Sequence, residues 1–253
     1  MADASIDLQG TNIFGFGANF KTQSSGINIV TTNPANQDKD GNVSCERIIE
    51  DITNYTQSVT YCGTDIDTDL GALVSDFGEV VVSAALGIDI LPTSITVNMS
   101  AGEYATIDIE GHQHDTNAHD QGDLLTVTLS GILGGFDLSA WDGFGVTSYP
   151  LSATTGTNCS PSSQTITYVL EHTDATDEEG KHLVGQNTSA RVDISSDWIG
   201  VGGASFDSLS EIEAALEVFF GAGVVFVDSY DLSDSNSDFD AFSYVAHSNQ
   251  PLS

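Results

Sequence analysis

Ile27-Asn28-Ile29-Val30, followed by a polar run to Asp38-Lys39-Asp40-Gly41, has a counterpart at Ile166-Thr167-Tyr168-Val169, which runs on to Asp177-Glu178-Glu179-Gly180. From the first Ile, the Asp lies 11 residues on and the Gly 14 residues on in both stretches, without a gap. Each begins as a short apolar, β-branched strand and ends in residues that favour a hairpin turn. Self-similarity of this kind points to one supersecondary unit used twice.

Working outward, further blocks repeat in the same order. Ser5-Ile6-Asp7-Leu8-Gln9-Gly10 is echoed by Thr126-Val127-Thr128-Leu129-Ser130-Gly131, and Gly15-Phe16-Gly17 by Gly143-Phe144-Gly145. Asp69-Leu70 through Leu73 to Phe77 matches Ser208-Leu209 through Ile212 to Leu216. Apolar residues at i, i+3 and i+7 make each of these a short amphipathic helix with an Asp or Ser near its N-cap. Ile107-Asp108-Ile109-Glu110-Gly111-His112 matches Phe242-Ser243-Tyr244-Val245-Ala246-His247, each after a polar turn that follows Met99-Ser100 or Leu232-Ser233. The offset between copies drifts between 121 and 139 with loop length.

Strands are expected near 5–9, 27–32, 57–62, 80–88, 94–99 and 104–110 of the first copy, with a helix near 68–78. The alternation in Ser94-Ile95-Thr96-Val97-Asn98-Met99-Ser100 buries one face and wets the other, and Ser100-Ala101-Gly102-Glu103 is a turn. The fold class expected is mainly β: two tandem antiparallel β-sandwich or open-barrel domains, each with one flanking α-helix. The boundary falls at Gln121-Gly122, giving domains 1–121 and 122–253.

Composition is that of a globular chain, 40% hydrophobic over 253 residues. No stretch reaches the roughly 20 apolar residues that cross a membrane as a helix. The N-terminus lacks the basic start and apolar run of a signal peptide, so the expectation is a chain made and assembled in a cytoplasm. Cys45, Cys62 and Cys159 are odd in number and unclustered, and read as buried thiols. Sequons such as the one at Asn54 then carry no weight.

Thirty-seven acidic residues face five basic ones, a formal net charge of −32. Such a surface repels other polyanions and cannot neutralise phosphates, which argues against nucleic-acid binding. A salty habitat would also favour it.

His112, His114 and His119 form the one cluster with transition-metal chemistry. Two His at i, i+2 on a strand share a face, and a third could close a site from the loop. The second copy keeps only His247, so the reading adopted is a polar loop between repeats. Asp65, Asp67 and Asp69, with Asp76 at the twelfth position, resemble a calcium loop, but Gly71 comes one residue late and the closing Glu is missing. Acids at a helix N-terminus explain them as well. No nucleophile elbow, phosphate loop, zinc-protease pair or redox Cys pair is present. Neither metal, cofactor nor catalysis is expected.

The stretch Asp38-Lys39-Asp40-Gly41-Asn42-Val43-Ser44-Cys45-Glu46-Arg47, continuing to Ser58-Val59-Thr60-Tyr61, resembles the early hairpin and strand of the tail-tube subunits of tailed phages and related injection machines. That resemblance implies a virion protein of the phage tail, assembling with itself and with other tail proteins. Its stacked rings would form a tube through which DNA passes. A fused duplicate would build a six-domain ring from three chains, with an acidic lumen that does not hold the DNA. The hairpins at 33–56 and 170–190 would stack the rings. Deleting residues 35–55 is expected to leave a folded core and abolish polymerisation. The alternatives are an acidic virion or cell-surface module, such as a capsid decoration or adhesin, and a cation-binding β-module.

Overall fold

The architecture is that of a computed structural model, which describes residues 10–32, 35–37, 43–46, 49–63, 69–70, 81–100, 103–113, 159–176, 182–200, 210, 213–214, 217, 225–233 and 240–250. Eleven strands lie in them: β1 (Phe20–Thr32), β2 (Ala35–Gln37), β3 (Val43–Glu46), β4 (Ile49–Tyr61), β5 (Val81–Ser83), β6 (Ile88–Ser100), β7 (Thr106–Gln113), β8 (Cys159–Thr176), β9 (His182–Gly200), β10 (Val225–Ser233) and β11 (Asp240–Gln250). The protein is mainly β and antiparallel.

Nine strands form one sheet, in the order β1-β4-β7-β6-β8-β9-β11-β10, with β5 beside β6; β2 and β3 form a separate hairpin. The first four strands and the last four are thus ordered alike. In each group a long hairpin comes first, and the second hairpin packs beside it with its later strand inward. The two sandwich domains expected on either side of residue 121 are therefore joined in one sheet. Ser94–Ser100 of β6 pairs with Ser163–Val169 of β8 across that boundary.

Register links the groups further. Across the first, Ile27 stands opposite Tyr55, and Tyr55 opposite Gly111; across the second, Ile166 stands opposite Ile194, and Ile194 opposite Ala246. The long hairpins are bulged at Gln23 and at Ser162, and the second hairpins at Thr93 and at Asp228. Val97 stands opposite Ile107 as Leu232 stands opposite Phe242. Val97 is therefore the counterpart of Leu232, correcting the match of Met99-Ser100 to Leu232-Ser233 by two residues.

Several strands exceed their expected bounds. β4 starts at Ile49 and β1 at Phe20, because backbone pairing carries polar residues such as Asn54 and Gln23 that propensity alone leaves outside. The last third of the expected hairpin at 33–56 is consequently β4, and most of the expected hairpin at 170–190 is the far end of the β8–β9 hairpin. The expected strand 80–88 is cut to β5 by a turn at Ala84–Gly87, closed by Gly87 N donating to Ser83 O at 2.7 Å, with Gly87 at φ +69°. The 100–103 turn is closed by Glu103 N donating to Ser100 O at 3.2 Å. Strand 5–9 lies outside the described residues. So does most of both expected helices, although Asp69, Leu70, Ser210, Glu213, Ala214 and Glu217 are helical.

Alternation places Ile95, Val97, Ile107, Ile109, Ile166 and Ile194 on one buried face, with Tyr168, Trp198 and Tyr244 among its largest side chains. Over the first group this face is covered by residues 10–17. Buried Gln57 holds them, its Oε1 accepting from Ile13 N at 2.8 Å and Phe14 N at 3.0 Å. Its Nε2 donates to Thr22 Oγ1 at 3.0 Å. Asn12 closes the turn, donating from Nδ2 to Phe16 O and accepting from Phe16 N. Phe16, Phe20 and Tyr61 then pack as two tilted ring pairs, with centroids 5.0 and 5.1 Å apart. Cys62 is exposed, not buried: Tyr61 occupies the last inward position of β4, so its neighbour faces out.

Candidate functional site

The metal candidates do not converge in what is described. His112 lies on β7, nearly buried, opposite Asn54 and Leu91. His114 and His119 lie outside the described residues, as do Asp65 and Asp67. Asp69 accepts from Asn19 Nδ2 at 2.6 Å and Tyr61 Oη at 2.8 Å, which ties the start of the helical segment to β4. Among the described residues no three His, Cys, Asp or Glu side chains are grouped to hold a metal ion.

What the sheet does present is a broad wet face. Period-2 alternation puts the residues between the core positions there: Thr96, Asp108, Glu110, Thr167, Asp193 and Asp197 among them. Hydrogen bonds run across its middle. Thr96 and Thr167 hydroxyls are 3.2 Å apart, Thr165 donates to Asn98 Oδ1 at 3.0 Å, and Asn98 donates to Asp108 at 3.3 Å. Ser163 and Ser189 donate to Asp197 and Glu171. Arg191 pairs with Asp193 at 2.5 Å, both partly exposed. With Lys21 it supplies the base on a face where Asp108, Glu110, Glu171, Asp193, Asp197 and Asp231 supply acid. The balance is negative, and the carboxylates stand on paired strands.

The second feature is the pair of sheet edges. Among the described residues neither β1 nor β10 has a neighbour on its outer side. Leu232 of β10 is 50% exposed, and Phe226 nearby is 46% exposed. Phe226 stacks on the His247 ring, whose Nδ1 is 2.9 Å from Asp228 Oδ2 at the bulge. Glu213 reaches the inner part of β10, accepting from Val227 N at 3.4 Å.

Sequence reasoning singled out His and Asp clusters and missed both edges. Leu232 was legible only as a residue before a turn, since nothing local marks a strand as the last in its sheet. No protein-family model matches the chain, and no curated protein matches it.

Proposed function

We propose that this chain is a structural, non-catalytic wall protein, a tail-tube-like subunit of a virion. In this reading it is a fused duplicate of one β unit, with a helix flanking each copy, and it assembles into rings of three chains that stack around a lumen. The observation that carries the reading is the repeated four-strand order, joined edge to edge within the chain, with β1 and β10 unpaired on their outer sides among the described residues. Shared bulge positions, Gln23 with Ser162 and Thr93 with Asp228, support descent of both groups from one unit, because bulges are kept as designed features of a sheet. A unit that joins its own copy along one edge has the shape needed to join another chain in the same way, and head-to-tail contacts close into rings when the rotation allows.

The wet face suits the inside of such a ring. Its carboxylates would repel a DNA polyanion and let it slide without adhering. Negative-stain microscopy with sedimentation of the purified protein tests the proposal. Hollow rings of three chains, or tubes built from them, are the expected result. Monodisperse monomers at every concentration and ionic strength would refute it and favour the decoration or adhesin reading.

A further inference from the structure

β6 and β8 meet inside the chain as the last strand of one four-strand group and the first strand of the next. β10 and β1 hold those same positions at the two ends of the described sheet. Resting on the reading of the chain as a duplicated wall unit, we infer that β10 of one copy pairs antiparallel with β1 of the next. The register is the one that β6 and β8 adopt within the chain.

That register can be written out. At the internal junction Ile95 faces Tyr168, Thr96 faces Thr167, and Val97 faces Ile166. The positional correspondence between groups carries Ile95, Thr96 and Val97 onto Tyr230, Asp231 and Leu232. It carries Ile166, Thr167 and Tyr168 onto Ile27, Asn28 and Ile29. Across the join, Leu232 therefore faces Ile27, Asp231 faces Asn28, and Tyr230 faces Ile29.

Burial favours this join. Val97 and Ile166 are 0% and 1% exposed where they meet, whereas Leu232 is 50% exposed and Ile27 only half-buried. The positions are apolar at both places, but only the internal pair is covered. On the wet face, Thr96 and Thr167 bond across the junction. Their counterparts Asp231 and Asn28 are both exposed, and an Asn amide donating to an Asp carboxylate makes the equivalent rung.

Direction agrees as well. Every junction on the eight-strand path is antiparallel, so its first and last strands run in opposite senses, and a neighbouring copy extends the sheet without a parallel join. The paired segments, Ser229–Ser233 and Gly26–Val30, contain neither Pro nor Lys, the residues that usually blunt an edge. Three chains joined this way make a closed barrel of about 24 strands, with no edge left to aggregate. The partner is a second copy because, within the described sheet, β1 and β10 of one chain do not meet.

The test uses the full chain with its three cysteines changed to Ser. One preparation carries Ile27→Cys and another Leu232→Cys, and the two are mixed and oxidised under conditions in which microscopy shows particles. Opposed positions of an antiparallel pair lie within disulfide reach. A covalent dimer that contains one of each chain, formed in the mixture and at least about tenfold less in either preparation alone, is expected. Replacing Ile27→Cys by Asn28→Cys moves the thiol to the other face, and the yield should fall by a similar factor. Particles without a mixed dimer, or with equal dimer in a single preparation, would overturn the edge pairing and leave the wall reading standing. No particles from the unmodified chain would overturn both. Hydrogen exchange on that unmodified chain is a check independent of substitution: amides of 26–30 and 229–233 should slow about tenfold or more on assembly. Unchanged exchange in assembled particles would likewise overturn the pairing.

Discussion

Three residues carry much of the inner packing, each for a different physical reason. Gln57 is a buried polar side chain whose oxygen takes two backbone amides of the covering segment. Gln57→Leu keeps the bulk and leaves Ile13 and Phe14 amides unpaired, so urea unfolding should show a loss of about 2 kcal/mol. An unchanged midpoint would mean that the segment is held otherwise. A Cβ on Gly111 would lie 2.6 Å from Leu91 O and 2.9 Å from Ile90 Cγ2. Gly111→Ala must push backbone aside and should cost about 1–3 kcal/mol in the same measurement. Burial pushes the Tyr244 phenol well above its ordinary value, with the nearby Ser196 pulling the other way. The folded state thus keeps a proton that the unfolded chain releases, so this stability is complete below the unfolded value of about 10 and falls as pH rises past it. Tyr244→Phe should flatten the alkaline fall in a pH series of denaturant midpoints.

At the scale of elements, the bulges and hairpins say which segments can be altered. Tyr55 is buried on β4, so deleting residues 35–55 would remove half of a central strand and unfold the first group. The separable element is the β2–β3 hairpin. Replacing residues 33–48 by a two-residue Asn-Gly turn should keep the β1–β4 register and the thermal midpoint within a few degrees, because β2 and β3 pair with each other and not with the nine-strand sheet. In the tail-tube-like reading the same variant forms single rings that no longer stack, which sedimentation distinguishes from tubes. Of the two expected helices only Asp69, Leu70, Ser210, Glu213, Ala214 and Glu217 are among the described residues; these six are helical, and Leu70 is fully buried. β4 and β1 were under-read because polar residues such as Asn54 and Gln23 are strand residues through pairing and not through propensity.

For the whole molecule, charge is the governing quantity. A net −32 opposes compaction, and only a few bases stand ready to pair with the acids. Salt screens such repulsion, with a Debye length of about 3 Å at 1 M. The thermal midpoint should therefore rise by several degrees from low salt to about 1 M NaCl, measured by scanning calorimetry. A midpoint that falls would mean that specific ion pairs, such as Arg191 with Asp193, outweigh the general repulsion. The same screening should favour assembly, since like-charged copies must approach along their edges.

By itself the sequence determined strand character, the turn residues between strands and the acidity of the chain. Period-2 alternation, turn residues and composition are local properties of a chain, and the matched spacing after Ile27 and Ile166 is simple to count. Only the tertiary structure decided that β6 joins β8 across the expected boundary, that Val97 is buried where Leu232 is not, and that Gln57 and Gly111 have no freedom to change. Those facts depend on which distant strands lie side by side. Hydrogen-bond pairing over long sequence separation sets them, and no window of neighbouring residues contains it.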